Sequence, residues 1–166
     1  MTRIFAFTII AMLSFCACSA PAETSASDDT SLDGSFERAT LVIEANDGVQ
    51  HEFNVYLATE FEQQRRGLMF VRQMDKDAGM LFIYEDSEIH SMWMKNTYIS
   101  LDLVFARADG SVSSVIQDAQ PLSLKSLGST EAVNYVLELN AGTARRLGIG
   151  RGSRLQIESL ALTAND

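Results

Sequence analysis

Leu41-Val42-Ile43-Glu44-Ala45-Asn46-Asp47-Gly48-Val49-Gln50-His51-Glu52-Phe53-Asn54-Val55-Tyr56-Leu57 reads as two runs of period two joined by a turn. Leu41, Ile43 and Ala45 share one face. Beyond Asn46-Asp47-Gly48, the residues Val49, His51, Phe53, Val55 and Leu57 alternate with Gln50, Glu52, Asn54 and Tyr56. Successive side chains of a strand point to opposite faces, so this is the pattern of a β-hairpin with one buried face, and Asp-Gly supplies the turn. His51 falls on the inward face, where it reads as a core histidine.

Downstream, Thr59 with Glu62 three residues later forms a capping-box pattern, and Gly67 suits the end of a short helix over Glu60 to Arg66. Gly79 to Tyr84 is a short apolar run of a buried strand. Ile89 to Met94, Leu101 to Ala106, Ser111 to Gln117, Ala132 to Leu139 and Arg154 to Leu160 read as further strands, and Asn140 caps a helix through Leu147. Seven or eight short strands and two short helices, with no repeat and no βαβ rhythm, predict an α+β domain built on a mostly antiparallel, barrel-like sheet.

The chain before this domain has a different character. Met1-Thr2-Arg3 is a short positive start, and Ile4 to Phe15 is an unbroken apolar stretch, long enough for a signal peptide and too short for a permanent membrane span. Phe15-Cys16-Ala17-Cys18 resembles a lipobox with Cys18 as the lipidated residue; ordinary signal cleavage after Ala22 is the competing reading. Residues 1–18 are thus read as the leader, 19–37 as a flexible Ser/Thr/Ala/Asp-rich tether, and 38–162 as one domain. Both cysteines, Cys16 and Cys18, lie in the leader, so the domain has no thiol for a disulfide or a thiolate site. The resulting expectation is an exported lipoprotein facing the periplasm. Ser19 after the cysteine favours the outer membrane over the inner. The net charge of −9 disfavours nucleic acid and anionic lipid headgroups as partners.

Gly67-Leu68-Met69-Phe70, Gly79-Met80-Leu81-Phe82, Trp93-Met94-Lys95-Asn96-Thr97, Leu101-Asp102, Val136 to Gly142 and Gly148-Ile149 closely resemble, in this order, the domain-of-unknown-function 192 family. The resemblance covers nearly the whole folded region. It implies a small mixed α/β-and-barrel domain, often exported, with no established activity. Met92 departs from it, since an aromatic residue is expected there.

Three sets of residues could carry chemistry. Lys95, Asn96, Asp102 and Glu138 form a polar constellation that reads as a structural network, as a pocket for a small polar ligand, or, through Asp102, Glu138 and Lys95, as the acid-base set of an envelope hydrolase. A carboxylate at Glu138 inside an apolar strand calls for a cation, for which Lys95, Arg65, Arg66 and Arg72 are candidates. His90, Met92 and Met94 lie two apart and offer an imidazole and two thioethers to Cu(I), or simply fill a core gap. No nucleophile elbow or phosphate loop accompanies them. Non-enzymatic binding of a small ligand or an envelope protein, from a lipid anchor in the membrane, is the leading expectation. It predicts that Cys18→Ala abolishes incorporation of radiolabelled palmitate and shifts the chain from the membrane to the soluble fraction. Unchanged labelling would contradict the lipobox reading.

Overall fold

The computed structural model describes residue 32 and residues 34–163; the leader, Cys18 and all but the end of the segment read as tether lie outside them. The strands are β1 (Glu37–Glu44), β2 (Gln50–Ala58), β3 (Ala78–Glu88), β4 (Ser91–Met92), β5 (Leu101–Ala106), β6 (Val112–Ala119), β7 (Leu127–Gly128), β8 (Val133–Asn140), β9 (Arg154–Leu155) and β10 (Ala161–Thr163). Two short helices, α1 (Phe61–Arg66) and α2 (Thr143–Arg146), and a 3-10 turn at Ile157–Ser159 complete the fold. The main sheet runs β10-β1-β2-β3-β8-β5-β6, with β9 also paired to β1, while β4 and β7 form a separate ribbon.

The hairpin forms as the alternation requires. Glu37 to Glu44 pairs with Leu57 to Gln50, and Ala39, Leu41 and Ile43 are fully buried. The Asp47 carboxylate closes the turn by accepting the Val49 N–H at 3.0 Å. The expectation of a mostly antiparallel sheet is corrected, because β2 and β3 are parallel neighbours and the sheet is mixed. Parallel neighbours need a crossover of a dozen or more residues, and residues 59–77, carrying α1, provide it. A βαβ unit was therefore present where no such rhythm was read.

The sheet curls until its ends meet at one rim. Leu155, opposite Ile43 on β1, donates its N–H to Gly110, and Val112 donates to Ser153, both at 2.8 Å. Gly110 has φ of +80°, and a Cβ there would stand 2.1 Å from the Leu155 carbonyl oxygen, so glycine is required for this closure. One core lies inside the curl, where Ile43 and Leu155 meet Val104, Val112, Leu137 and Leu139. The other covers the opposite face, where Met80, Phe82, Leu103 and Val136 pack under Leu68, Val71 and Met94.

Three boundaries differ from the sequence reading. Leu32 and Phe36, inside the segment read as tether, are buried in the second core. The strand expected over Ile89 to Met94 shrinks to β4, since β7 pairs with only two of its residues before the chain turns at Met94–Thr97. The last strand, expected over Arg154 to Leu160, is cut short to β9 by the 3-10 turn, and β10 follows beyond it.

Helix starts were read one residue early at α1 and two early at α2. At α1 the Gln63 side-chain oxygen, not Glu62, accepts the N–H groups of Thr59 and Glu60, both at 3.1 Å. Asn140 does not cap α2; it ends β8, and its amide donates to the carbonyls of Met74 and Asp75. The N-terminal turn of α2 is satisfied from β5 instead, because one Asp102 oxygen accepts the Ala144 N–H at 2.8 Å and the other accepts the Asp118 N–H at 3.0 Å. Asp118 has φ of +53°, so the same carboxylate also fixes a left-handed residue at the end of β6. Removing it leaves a buried N–H without an acceptor. Asp102→Ala is expected to destabilise the fold by about 3 kcal/mol, with Asp102→Asn losing less, read as the urea midpoint at unchanged slope. A midpoint equal to that of the unsubstituted chain would contradict this role.

Candidate functional site

Strand β8 lies between β3 and β5, and Glu138 stands opposite Met80 on one neighbour and Leu103 on the other. It therefore points to the face that carries the second core, with 4% of its surface exposed. Between this face and the layer formed by α1 and the segments around Met69 and Trp93 is a cavity of about 270 Å³. Its floor consists of Glu138, Phe82, Leu68 and Thr97, all buried, while the exposed Phe61, Trp93, Arg65 and Lys95 stand at its mouth. Tyr84, Met92, Met69, Gln64 and Arg66 line the wall.

Glu138 is the only carboxylate among the described residues that line the cavity, and it makes no hydrogen bond or ion pair among them. Burial pushes its carboxyl up to about 8 from the ordinary 4.5, so at neutral pH it is mostly a protonated acid able to donate a hydrogen bond. The cations suggested as its partners are engaged elsewhere. Arg65 binds the Glu62 carboxylate at 2.6 Å, Lys95 lies over the Trp93 ring with its Nζ 5.0 Å from the centroid, Arg66 lies over Phe36, and Arg72 over Tyr98. Tyr84 is close enough to feel the same environment. Burial, and then the charge of Glu138, push its hydroxyl up to about 12, and it donates to the Met92 sulfur at 3.7 Å.

The constellation expected of Lys95, Asn96, Asp102 and Glu138 does not converge. Leu103 sits opposite Glu138, so Asp102 next to it points to the other face, where it holds α2 and β6. Asn96 has φ of +56° in the Met94–Thr97 turn, and its amide donates to the Met69 sulfur at 3.8 Å instead of lining the cavity. Lys95 and Glu138 remain. The hydrolase set of Asp102, Glu138 and Lys95 is thereby divided between two faces of the sheet, beyond the hydrogen-bond reach that acid-base work needs.

His90, Met92 and Met94 are each held by the core. The His90 ring stacks on Tyr84 with centroids 3.6 Å apart, Met92 accepts the Tyr84 hydroxyl, and Met94 is fully buried, while Trp93 points away from them and is exposed. Nε2 of His90 is buried without a hydrogen-bond partner among the described residues. These residues also contain no group of three His, Cys, Asp or Glu side chains placed to hold a metal ion. His51 is half-buried beside Phe53, near the inward position that its alternation gave it.

Tyr84, Gln64 and Phe61 were missed as lining residues. Tyr84 was within reach of the sequence, since it follows Phe82 by two on β3 and must share its face. Gln64 and Phe61 could be placed only once the crossover had laid α1 across the sheet.

Residues 41–157 match the family described as DUF192, Uncharacterized ACR, and the chain belongs to that family. Two solved structures share the fold. A protein of Sinorhizobium meliloti 1021, described as a candidate transcription regulator, is 41% identical, with a TM-score of 0.71 over 73% of this chain and 94% of that one. A protein of unknown function from Novosphingobium aromaticivorans is 30% identical, with a TM-score of 0.72 over 75% of this chain and 88% of that one. No curated protein matches the chain.

The raised Glu138 acid has a thermodynamic consequence. Between pH 4.5, where the unfolded carboxyl releases its proton, and about 8, where the folded one does, the native state binds more protons than the unfolded state. This group therefore makes stability fall as pH rises through that window and contributes no slope above it. Glu138→Gln is expected to remove a loss on the order of a few kcal/mol between about pH 5.5 and about pH 8.5, measured by urea unfolding at both. The same pH dependence in the variant would show that Glu138 is not its source.

Proposed function

We propose that this chain is an exported, lipid-anchored, non-enzymatic binding domain that holds a small polar ligand in the cavity over Glu138. The observation that carries the reading is a buried carboxyl, without a partner among the described residues, facing an open, aromatic-walled cavity. Burying a polar group without a hydrogen bond costs free energy, and a ligand that supplies the missing partner recovers it. The cavity lies below the range of drug-sized sites, which favours a small molecule. The leader and Cys18 support export and anchoring through their sequence pattern alone. Among the described residues no helix is long and apolar enough to cross a membrane.

Hydrolysis is the weaker reading, because Asp102, the second carboxylate of the hydrolase set, points to the other face of the sheet and Glu138 is the one carboxyl among the described residues that line the cavity. The regulatory role in the description of the S. meliloti protein is not carried over to this chain, whose net charge of −9 opposes a polyanion.

The test is a thermal-shift screen of the full chain against a panel of small polar metabolites. A ligand present at about a hundred times its Kd should raise Tm by about 5 to 11 °C. That rise is expected to vanish in Glu138→Leu. A rise that persists in the variant places binding elsewhere. Turnover of ester or glycoside substrates that is lost in Glu138→Gln would replace binding with hydrolysis.

A further inference from the structure

We infer that the ligand is a small zwitterion, whose ammonium group meets Glu138 on the cavity floor and whose phosphate or carboxylate meets Lys95 at the mouth. This rests on the binding reading above and names the ligand class for the same site.

Two ends of the cavity argue for two charges. At the floor, Glu138 is the one carboxyl and has no partner among the described residues, while Phe82 and Tyr84 present aromatic rings and Met92 a thioether beside it. An organic ammonium finds there both an opposite charge and aromatic faces, which attract cations through the ring quadrupole. At the mouth the sign is reversed. Lys95 and Arg65 stand at the mouth, Arg65 already holding the Glu62 carboxylate at 2.6 Å, so Lys95 is the cation there without a carboxylate partner among the described residues. A simple cation would make no use of Lys95, and a simple anion would leave Glu138 unpartnered. A neutral polyol would satisfy the hydrogen bonds of the floor and make no use of the cationic rim. Only a ligand with both charges uses both ends.

The floor also links binding to protons. Free Glu138 is mostly protonated at neutral pH, whereas an ammonium partner favours its carboxylate, so binding must release a proton to solvent. Affinity should rise about tenfold per pH unit below about pH 8 and level off above it.

The experiment is calorimetric titration of the full chain with O-phosphoethanolamine, repeated in buffers of different ionisation enthalpy. Glucose and inorganic phosphate serve as neutral and anionic comparisons. The expected result is binding of O-phosphoethanolamine with release of a proton, loss of at least tenfold in affinity and of the proton release in Glu138→Gln, and weaker binding in Lys95→Ala. The exposed Lys95 makes the second variant informative even if the first is misfolded. Phosphatidylethanolamine vesicles form a further arm. Binding to soluble O-phosphoethanolamine assigns a free zwitterion and binding to vesicles alone assigns a lipid headgroup, and either supports the inference. Glucose or phosphate binding as tightly as the zwitterion, without proton release, would overturn the zwitterion while leaving the binding reading intact. If none of the three soluble probes nor the vesicles bind, the zwitterion fails, and the metabolite screen decides separately whether the cavity binds anything.

Discussion

A strand hydrogen-bonded on both edges and covered on both faces keeps most of its side chains from solvent, and β8 is such a strand, with only Tyr135 and Asn140 half-buried. Its alternation sends Leu137 and Leu139 into the core inside the curl and sends Glu138 to the other face, between Met80 and Leu103. An apolar residue there would close the layer. A carboxyl makes the site polar at a depth where ionisation is opposed by lost hydration, and this accounts for both its raised pKa and the influence of its charge on Tyr84. The cavity and its chemistry follow from one residue on the most constrained strand of the sheet.

What keeps the space beside Glu138 open is the layer above it, and that layer is braced by unusual backbone. Phe70, Asn96 and Leu122 all have positive φ, and the three segments bond to one another: Phe70 donates to Asn96 at 2.8 Å, Leu122 to Thr97 at 3.1 Å, and Met94 to Ser123 at 3.0 Å. Side chains with a Cβ adopt this conformation at a cost that surrounding contacts must offset. Here the bonds converge on the Met94–Thr97 turn, with Trp93 and Lys95 set at the mouth of the cavity just beside it. In the Trp-Met-Lys-Asn-Thr block Asn96 supplies the left-handed residue of the turn, while Met94 fills the core and Trp93, Lys95 and Thr97 line the cavity.

Period-two alternation is a local property, and what depends on it was legible. The hairpin from Leu41 to Leu57, the buried run from Gly79 and the face of Glu138 could all be read from residue spacing. Facts set by a distant partner were not legible. The parallel pairing of β2 with β3 is decided by where the crossover lands, and the capping of Ala144 by Asp102 joins residues 42 apart in the chain. Grouping Asp102 with Glu138 went astray for that reason, since the offset of β5 against β8 places Leu103, not Asp102, opposite Glu138. Leu32 and Phe36 were passed over because a polar composition described their segment better than two apolar residues did.

The central claim is that Glu138 is a buried acid, unpartnered among the described residues, facing a cavity that can receive its partner. Carbon-13 NMR titration of the Glu138 side-chain carboxyl in the ligand-free chain tests this most directly. The account predicts a midpoint near 8, set by burial alone. A midpoint in the ordinary carboxylate range, near 4.5, would mean that the group is hydrated or already paired, and would contradict the site as described.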